Sequence, residues 1–301
     1  MKVKPKILIT GANGFTGQHA CEHFLRVGLD ITAVTRNVNF NNQVQIEHCD
    51  LTDKEAVRKL IQKVKPQYLL HLAGQNHVGS SWINPVTSIE ANVMSTLYLI
   101  EAIRQEHLSC RVLVVGSALQ FDPHNLSSLT HPYSLSKTLQ VLIAQSWKVL
   151  YNIDVIIAQP SNLIGPGLSN GVCSIFAKKI VEMEEKKAEQ VLEVNNLNIQ
   201  RDFIDVRDVV TAYEILIKEG KSGEIYRICT GKSHSLQEII NMFKSLTTVD
   251  FEIKSQKNNH LEQNLEIQPL ELRELGWNPV IQLESSLNDI LNFYRNITKN
   301  S

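Results

Sequence analysis

KILITGANGFTG, residues Lys6–Gly17, combines an apolar run with three regularly spaced glycines. The run Ile7-Leu8-Ile9 predicts a short buried strand, and the glycines permit a tight turn into a helix that begins near Phe15. Glycines let a pyrophosphate approach the backbone, and the N–H groups at a helix start favour an anion. The G-x-x-G-x-x-G spacing is one residue longer than the usual dinucleotide fingerprint, so a glycine turn without a ligand is the alternative interpretation.

Strand and helix patterns alternate after this unit. This order predicts an α/β fold with a doubly wound parallel sheet of the Rossmann type and a smaller C-terminal lobe. We expect a dinucleotide-binding domain over 1–165 and a mainly substrate-binding lobe over 166–301, with segments near 201–230 returning to the first domain. Strands are predicted near 6–10, 31–35, 45–48, 67–71, 111–116 and 153–159, and helices over 53–64, 86–106 and 134–151.

Tyr133 and Lys137 form a candidate acid/base pair, because residues four apart share one face of a helix. The ammonium is expected to lower the pKa of the phenol from its ordinary value of about 10, so that the tyrosine can exchange a proton with a carbinol oxygen. Ser117, at the end of the strand 111–116, is expected to bind the same oxygen. The alternative is a solvated surface tyrosine.

Composition predicts a soluble cytoplasmic enzyme. The chain has 301 residues, of which 43% are hydrophobic and 20% charged, enough to bury a sizeable core. A formal net charge of −1 favours neither nucleic acid nor an anionic membrane. The five cysteines are scattered without metal-ligand spacing, so we expect buried thiols and no metal.

Ordered segments from Lys6 to Tyr294 resemble the extended short-chain dehydrogenase/reductase family, which comprises nucleotide-sugar epimerases, dehydratases and reductases. Besides the Tyr/Lys pair, the segments are TGANGFTG (Thr10–Gly17), CDLTD (Cys49–Asp53), HLAG (His71–Gly74), SWINP (Ser81–Pro85) with Asn92, PSNLIGPG (Pro160–Gly167) and RDFIDVRDVV (Arg201–Val210).

The resemblance implies which residues bind the cofactor and which bind the substrate. Residues implied to bind the cofactor are Gly11, Asn13, Gly14, Phe15, Thr16, Gly17, Arg36, Asp50, Leu51, Leu72, Ala73, Gly74, Asn92, Tyr133, Lys137 and Pro160. Residues implied to bind the substrate are Ser117, Asn162, Lys178 and Arg201. Three of these have plainer alternatives: Asn162 as a turn cap, Lys178 as a solvated lysine, and Arg201 in a local ion pair with Asp202.

Departures from the family pattern bear on the reaction. Ser117 is followed by Ala118, Leu119 and Gln120, none of which ionises, so 4,6-dehydration would lack its acid/base groups. VGSALQF (115–121), HPYSLSK (131–137) and FAKKIVEMEEKK (176–187) resemble reductases of nucleotide-linked 4-keto-6-deoxyhexoses, such as those acting on GDP-4-keto-6-deoxymannose. The alternatives are a nucleotide-sugar 4-epimerase with tightly bound NAD and a non-catalytic NAD(P)-binding regulator.

The second predicted strand ends in Thr35-Arg36, where NAD-preferring enzymes usually carry an acid. A guanidinium suits the 2′-phosphate of NADPH, so NADPH/NADP is favoured and NAD remains possible. The alternative is that Arg36 points to solvent.

The helices 86–106 and 134–151 carry apolar residues on more than one face, which predicts a partner for each. The first carries Val93, Leu97, Leu99 and Ile100, and the second Leu139, Val141, Leu142, Ile143 and Trp147. The resemblance implies a homodimer in which these helices pair across a two-fold axis. Burial under the chain's own C-terminal lobe is the alternative.

Overall fold

The computed structural model of the protein describes residues 4–35, 44–255 and 267–299. The chain forms two compact units. The first comprises Met1–Pro160 and Val210–Tyr226, and the second comprises Ser161–Val209 and Arg227–Ser301.

Twelve strands are found in the described residues. They are β1 (Lys6–Thr10), β2 (Asp30–Thr35), β3 (Gln45–His48), β4 (Tyr68–His71), β5 (Arg111–Val115), β6 (Val155–Pro160), β7 (Asn162–Ile164), β8 (Val191–Val194), β9 (Gln200–Asp205), β10 (Ile225–Ile228), β11 (Ser233–Ser235) and β12 (Glu252–Ser255).

A seven-stranded sheet in the order β10-β6-β5-β4-β1-β2-β3 confirms the predicted doubly wound fold. Every pairing from β3 across to β6 is parallel. Ile7, Leu8 and Ile9 are fully buried, as expected for a strand covered on both faces. The strand order reverses between β1 and β4, and ligands of such sheets bind at the carboxyl ends of the strands at this point.

The described α-helices are α1 (Phe15–Arg26), α2 (Lys54–Val64), α3 (Val78–Ile83), α4 (Pro85–Ile89), α5 (Ser95–Gln105), α6 (Pro132–Tyr151), α7 (Val172–Glu184), α8 (Val206–Glu219), α9 (Leu236–Ser245), α10 (Leu270–Glu274) and α11 (Leu283–Lys299). On one face of the large sheet, α2, α5 and α6 bury a common apolar core.

The predicted helix over 86–106 is helical throughout from Pro85 to Gln105. It contains a π-helical turn at Glu90–Met94, between α4 and α5, that the prediction lacked. The hydroxyls of Ser95 and Thr96 donate to the carbonyls of Ala91 and Asn92, at 2.6 and 2.7 Å. Such side-chain bonds locally modify a helix, and π turns occur often at functional sites. The turn carries the fully buried Asn92.

The second unit has its own core and two small sheets. One sheet has the order β11-β9-β7 and the other pairs β12 with β8. Their apolar side chains pack with those of α7, α9 and α11. Asn162 begins a strand here, and the sequence analysis had not assigned it to one.

Within the described residues, none of the helices has both the length and the apolar character that a membrane crossing requires. Among the same residues, no group of three or more His, Cys, Asp or Glu is arranged to hold a metal ion.

Candidate active site

The glycine loop joins β1 to α1 at the point where the strand order reverses. Gly11 adopts a positive φ of 68°, and a Cβ there would lie 2.7 Å from the backbone nitrogen of Ala73. A Cβ on Gly17 would overlap the carbonyl oxygen of Gly11. Two close backbone approaches therefore require the absence of a side chain.

The start of α1 suits an anion. Gly14 is its N-cap, no side chain caps the first turn by a hydrogen bond, and that turn contains no acidic residue. Asn13, Phe15 and Thr16 are partly exposed around it. A helix N-terminus of this kind binds phosphate through its N–H groups. These features fit a dinucleotide.

Segment 72–75 follows β4, beside the glycine loop. The backbone N–H of Ala73 donates to the Thr10 hydroxyl at 3.2 Å. The side-chain oxygen of Gln75 is buried and has no partner in the structure. An orphaned buried acceptor at this edge of the sheet fits a site that a ligand or water completes.

Asn92 holds this segment in place. Its side chain bonds the backbone N–H and carbonyl of Gln75 at 2.8 and 3.0 Å and the Ser136 hydroxyl at 2.8 Å. Asn92 is fully buried behind this segment, and its contact with the cofactor stays a prediction. It shapes the segment that borders the site.

The three predicted catalytic residues lie in the first unit. Tyr133 begins the first turn of α6, with its backbone N–H donating to the Ser81 hydroxyl at 3.1 Å, and is 7% exposed. Ser117 follows β5 and interacts with Tyr133 through a side-chain hydrogen bond. Lys137 is one turn further along α6 and also 7% exposed. The structure thus brings all three together at the ends of β5 and α6.

The predicted effect of Lys137 on the tyrosine was wrong. Burial raises the pKa of Tyr133, and the hydrogen bond from Ser117 only partly opposes this. Lys137 donates instead to the carbonyl of Val115, at 2.7 Å, and to the side-chain oxygen of Gln140. Burial lowers the pKa of Lys137 to about 7, so the amine carries only part of a charge near neutral pH.

Gln120 occupies a place after Ser117 at which an acid/base group would be needed for dehydration. Its amide nitrogen donates to the carbonyl of Lys137 at 3.0 Å, and its oxygen accepts from Gln159 at 2.6 Å. Gln159 also donates to the carbonyl of Ser117 at 3.1 Å. The two glutamines therefore brace the backbone of Ser117 and Lys137.

The remaining predicted cofactor residues have separate positions. Asp50 is exposed after β3 and accepts from the backbone and hydroxyl of Thr52, at 2.9 and 2.7 Å. Leu51, Leu72 and Gly74 are partly or fully exposed, whereas Pro160 ends β6 and is buried. Arg36 lies outside the described residues.

The predicted substrate residues other than Ser117 lie in the second unit. Asn162 begins β7, and its amide donates to the carbonyl of Asp202 at 3.0 Å. Lys178 is exposed on α7. Arg201, in β9, donates to the carbonyl of Gln200 at 2.8 Å. Roles for these three in substrate binding stay predictions.

The buried side chains that surround Lys137, among them Gln140 and Thr96, were not predicted from the sequence. His71 was likewise not predicted to have its partners Thr10 and Thr96, whose hydroxyls lie 2.7 and 2.9 Å from its ring nitrogens. The signal was the presence of polar residues at positions that the helix and strand patterns bury.

Residues 7–229 match the family described as the NAD dependent epimerase/dehydratase family. The chain is 26% identical to GDP-6-deoxy-D-mannose reductase of Pseudomonas aeruginosa, over 95% of this chain and 96% of that protein. It is 28% identical to a putative UDP-glucose 4-epimerase of Methanocaldococcus jannaschii, over 96% of this chain and 98% of that protein.

Among solved structures, RMD from Pseudomonas aeruginosa complexed with NADPH superposes with a TM-score of 0.84. Its sequence is 25% identical, and the match covers 98% of this chain and 100% of that one.

The sheet topology and the family match define a dinucleotide-binding α/β enzyme. The chain belongs to the NAD dependent epimerase/dehydratase family, which confirms the predicted resemblance to the extended short-chain dehydrogenases/reductases. It is accordingly an NAD(P)-dependent enzyme of the nucleotide-sugar class.

Proposed function

We propose that the protein uses NADPH to reduce the C4 ketone of a nucleotide-linked 4-keto-6-deoxyhexose. The observation that carries this proposal is the buried phenol of Tyr133 beside Ser117, next to a segment without acidic groups. The similarity to GDP-6-deoxy-D-mannose reductase over nearly the whole chain supports the same reaction class.

Reduction of a ketone needs a proton for the oxygen. Tyr133 supplies it, because a phenol whose pKa is raised stays protonated at neutral pH. The Ser117 hydroxyl, within reach of the phenol, donates to the same oxygen as negative charge develops on it. When bound, the nicotinamide supplies the hydride.

Lys137 contributes charge and a hydrogen bond. A protonated amine has three donors, of which Val115 and Gln140 accept two. The third is assigned to the ribose of the cofactor. The glycine loop and the start of α1 hold the pyrophosphate, and Gln75 offers its unpartnered oxygen at the same edge of the sheet.

Of the two competing enzyme reactions, dehydration is the less compatible with these side chains. A dehydratase needs an ionisable group after the serine, whereas Gln120 is a neutral side chain engaged with Gln159 and the backbone.

We propose that Asn162, Lys178 and Arg201 bind the sugar nucleotide.

We also propose a homodimer through α6 and the α3–α4 region. Val93, Leu99, Ile100 and Val141 are buried within the first unit, so these members of the predicted interface cannot form it. Leu142 and Val149 lie seven residues apart on one face of α6 and are 41% and 82% exposed. Trp82, Ile83 and Val86 are similarly exposed. Exposed apolar side chains grouped on helices favour a partner surface.

The test is incubation with NADPH and 4-keto-6-deoxyhexoses linked to GDP, UDP, dTDP or CDP. Consumption of NADPH in proportion to reduced sugar supports the proposal. Interconversion of sugars without NADPH consumption would identify an epimerase, and NADPH binding without any turnover would favour a regulator.

Tyr133→Phe should lower turnover by roughly 10²–10⁴-fold while preserving cofactor binding. Tyr151→Phe, at the other end of α6, is the matched control and should remain active.

A further inference from the structure

A chain of buried polar side chains runs from Lys137 to the end of β1. Gln140 and His71 each approach the Thr96 hydroxyl to 2.9 Å, and the other nitrogen of His71 lies 2.7 Å from the Thr10 hydroxyl. All five side chains belong to residues that are at most 7% exposed. Buried polar groups must each find a partner, so the donors and acceptors along this chain can be assigned.

The Thr96 hydroxyl fixes the first part of the assignment. Its hydrogen is donated to the carbonyl of Asn92, at 2.7 Å. The Thr96 oxygen must therefore accept from both Gln140 Nε2 and His71 Nε2. His71 carries its hydrogen on Nε2, and the side-chain amide of Gln140 has its nitrogen toward Thr96.

The hydrogen bonds at Thr10, where this series of side chains ends, agree with this assignment. His71 Nδ1 accepts from the Thr10 hydroxyl, whose oxygen in turn accepts the backbone N–H of Ala73, at 3.2 Å. Burial, with a smaller contribution from the charge of Lys137, lowers the pKa of His71 to about 3. The imidazole is therefore neutral at neutral pH and leaves Nδ1 free to accept.

The orientation of Gln140 determines what Lys137 contacts. With the amide nitrogen committed to Thr96, the oxygen points to the lysine and accepts from Nζ. The other acceptor is the Val115 carbonyl. No carboxylate contacts Lys137 within the described part of the chain, so two neutral oxygens stabilise a buried amine.

We propose that Gln140 is a positioning residue that holds Lys137, with its amide orientation set by Thr96 and the Nε2–H tautomer of His71. The consequence for the cofactor rests on the proposed function, because there Lys137 binds the ribose. The hydrogen-bonded arrangement itself does not depend on which substrate is reduced.

Gln140 should therefore control the titration of Lys137. The titratable group that interacts with the amine is His71, on β4. Tyr133 lies one turn earlier on α6, with the His131 ring stacked on it at 6.0 Å. Gln140→Glu places a negative charge beside the amine and should raise its pKa above about 7, by roughly 1–3 units. Gln140→Leu removes an acceptor for the ammonium and should lower this pKa.

The experiment is an NMR titration of the cofactor-free protein with ¹³C at the lysine ε-carbons. The Lys137 resonance is assigned by its loss in Lys137→Arg. The control is Gln145→Glu on the same helix, because Gln145 bonds the carbonyl of Gly223 at 3.3 Å and not Lys137. Opposite shifts in the two Gln140 variants, with none in the control, support the proposal.

Thr96→Val is a second variant, and it substitutes neither Lys137 nor a residue that accepts a hydrogen bond from it. It keeps the shape of the side chain but frees the Gln140 amide to rotate, so the Lys137 pKa should fall as in Gln140→Leu. The pH at which NADPH affinity changes, followed by nicotinamide fluorescence, should move with the NMR pKa. An unmoved Lys137 titration in all three variants would overturn the proposal.

This outcome is separable from the proposed function. If the Lys137 titration shifts but the protein reduces no ketosugar, Gln140 is still the positioning residue and the reductase function is excluded. If the titration does not shift and the protein is an active reductase, the role of Gln140 is excluded and the proposed function stands.

Discussion

Replacing Gly17 by alanine tests whether the glycine loop binds the cofactor phosphates. The new Cβ would overlap the Gly11 carbonyl and lie 2.7 Å from Ala12 Cα, where ordinary contacts begin at 3.4 Å. Both neighbours are backbone, so the start of α1 must move by several tenths of an ångström. Overpacking of this kind costs about 1–3 kcal/mol of folding free energy.

The same displacement moves the N–H groups that are proposed to bind the pyrophosphate. Loss of one hydrogen bond to a charged group costs about 1.5–3 kcal/mol, which corresponds to a roughly 10–150-fold weaker affinity. Nicotinamide fluorescence gives the dissociation constant of NADPH, and urea unfolding gives the stability of the same sample.

Gly28→Ala is the matched control at the other end of α1. Gly28 has a φ of 85°, so alanine is strained there, but a Cβ would meet nothing within 4 Å. This variant should lose stability and bind NADPH normally. If Gly17→Ala also binds NADPH as tightly as the unaltered protein, the loop is not the phosphate site.

Three further predictions concern the framework of the site and the dimer. Asn92→Ala should lower the free energy of unfolding by about 2–4 kcal/mol, because it leaves the backbone groups of Gln75 and the hydroxyl of Ser136 without their buried partner. Urea unfolding measures this free energy, and a change below about 0.5 kcal/mol would contradict the prediction. The pKa of His71 is about 3 in the folded protein and ordinarily about 6.5. Between these two pH values His71 binds a proton only in the unfolded chain. The free energy of unfolding therefore falls by about 1.4 kcal/mol for each pH unit by which the pH is lowered. Denaturation from pH 7 to 4 should show this slope reduced in His71→Gln, and an equal slope in both proteins would count against it. Leu142→Glu with Val149→Glu should convert a dimer into monomers by light scattering, whereas Leu126→Glu, at another exposed leucine, should not; an unchanged mass in the double variant would exclude the α6 surface.

Local sequence patterns predicted the sheet because each strand and helix carries its own signal. Ile7-Leu8-Ile9 followed by glycines specifies a buried strand and a turn without reference to the rest of the chain. The π-helical turn at Glu90–Met94 leaves no such signal, since the apolar spacing there also suits a continuous helix. The strand that begins at Asn162 is short and depends on pairing with β9, forty residues away in the sequence.

The placement of Tyr133 and Lys137 on one helix was predictable from the sequence, but their pKa values were not. Spacing alone places Tyr133 and Lys137 on one helical face. Their pKa values depend on burial and on partners from β5 and from Gln140, which only the packed structure brings together. The sign of the shift on Tyr133 was therefore wrong, although the proton donor remained the same residue.

The most direct test of the central claim uses NADPH with deuterium in place of both hydrogens at C4 of the nicotinamide. If the protein is a ketosugar reductase, each NADPH consumed should place one deuterium at C4 of the sugar, visible by mass spectrometry and NMR, and Tyr133→Phe should suppress the transfer. A sugar product that contains no deuterium while NADPH stays constant would contradict the account.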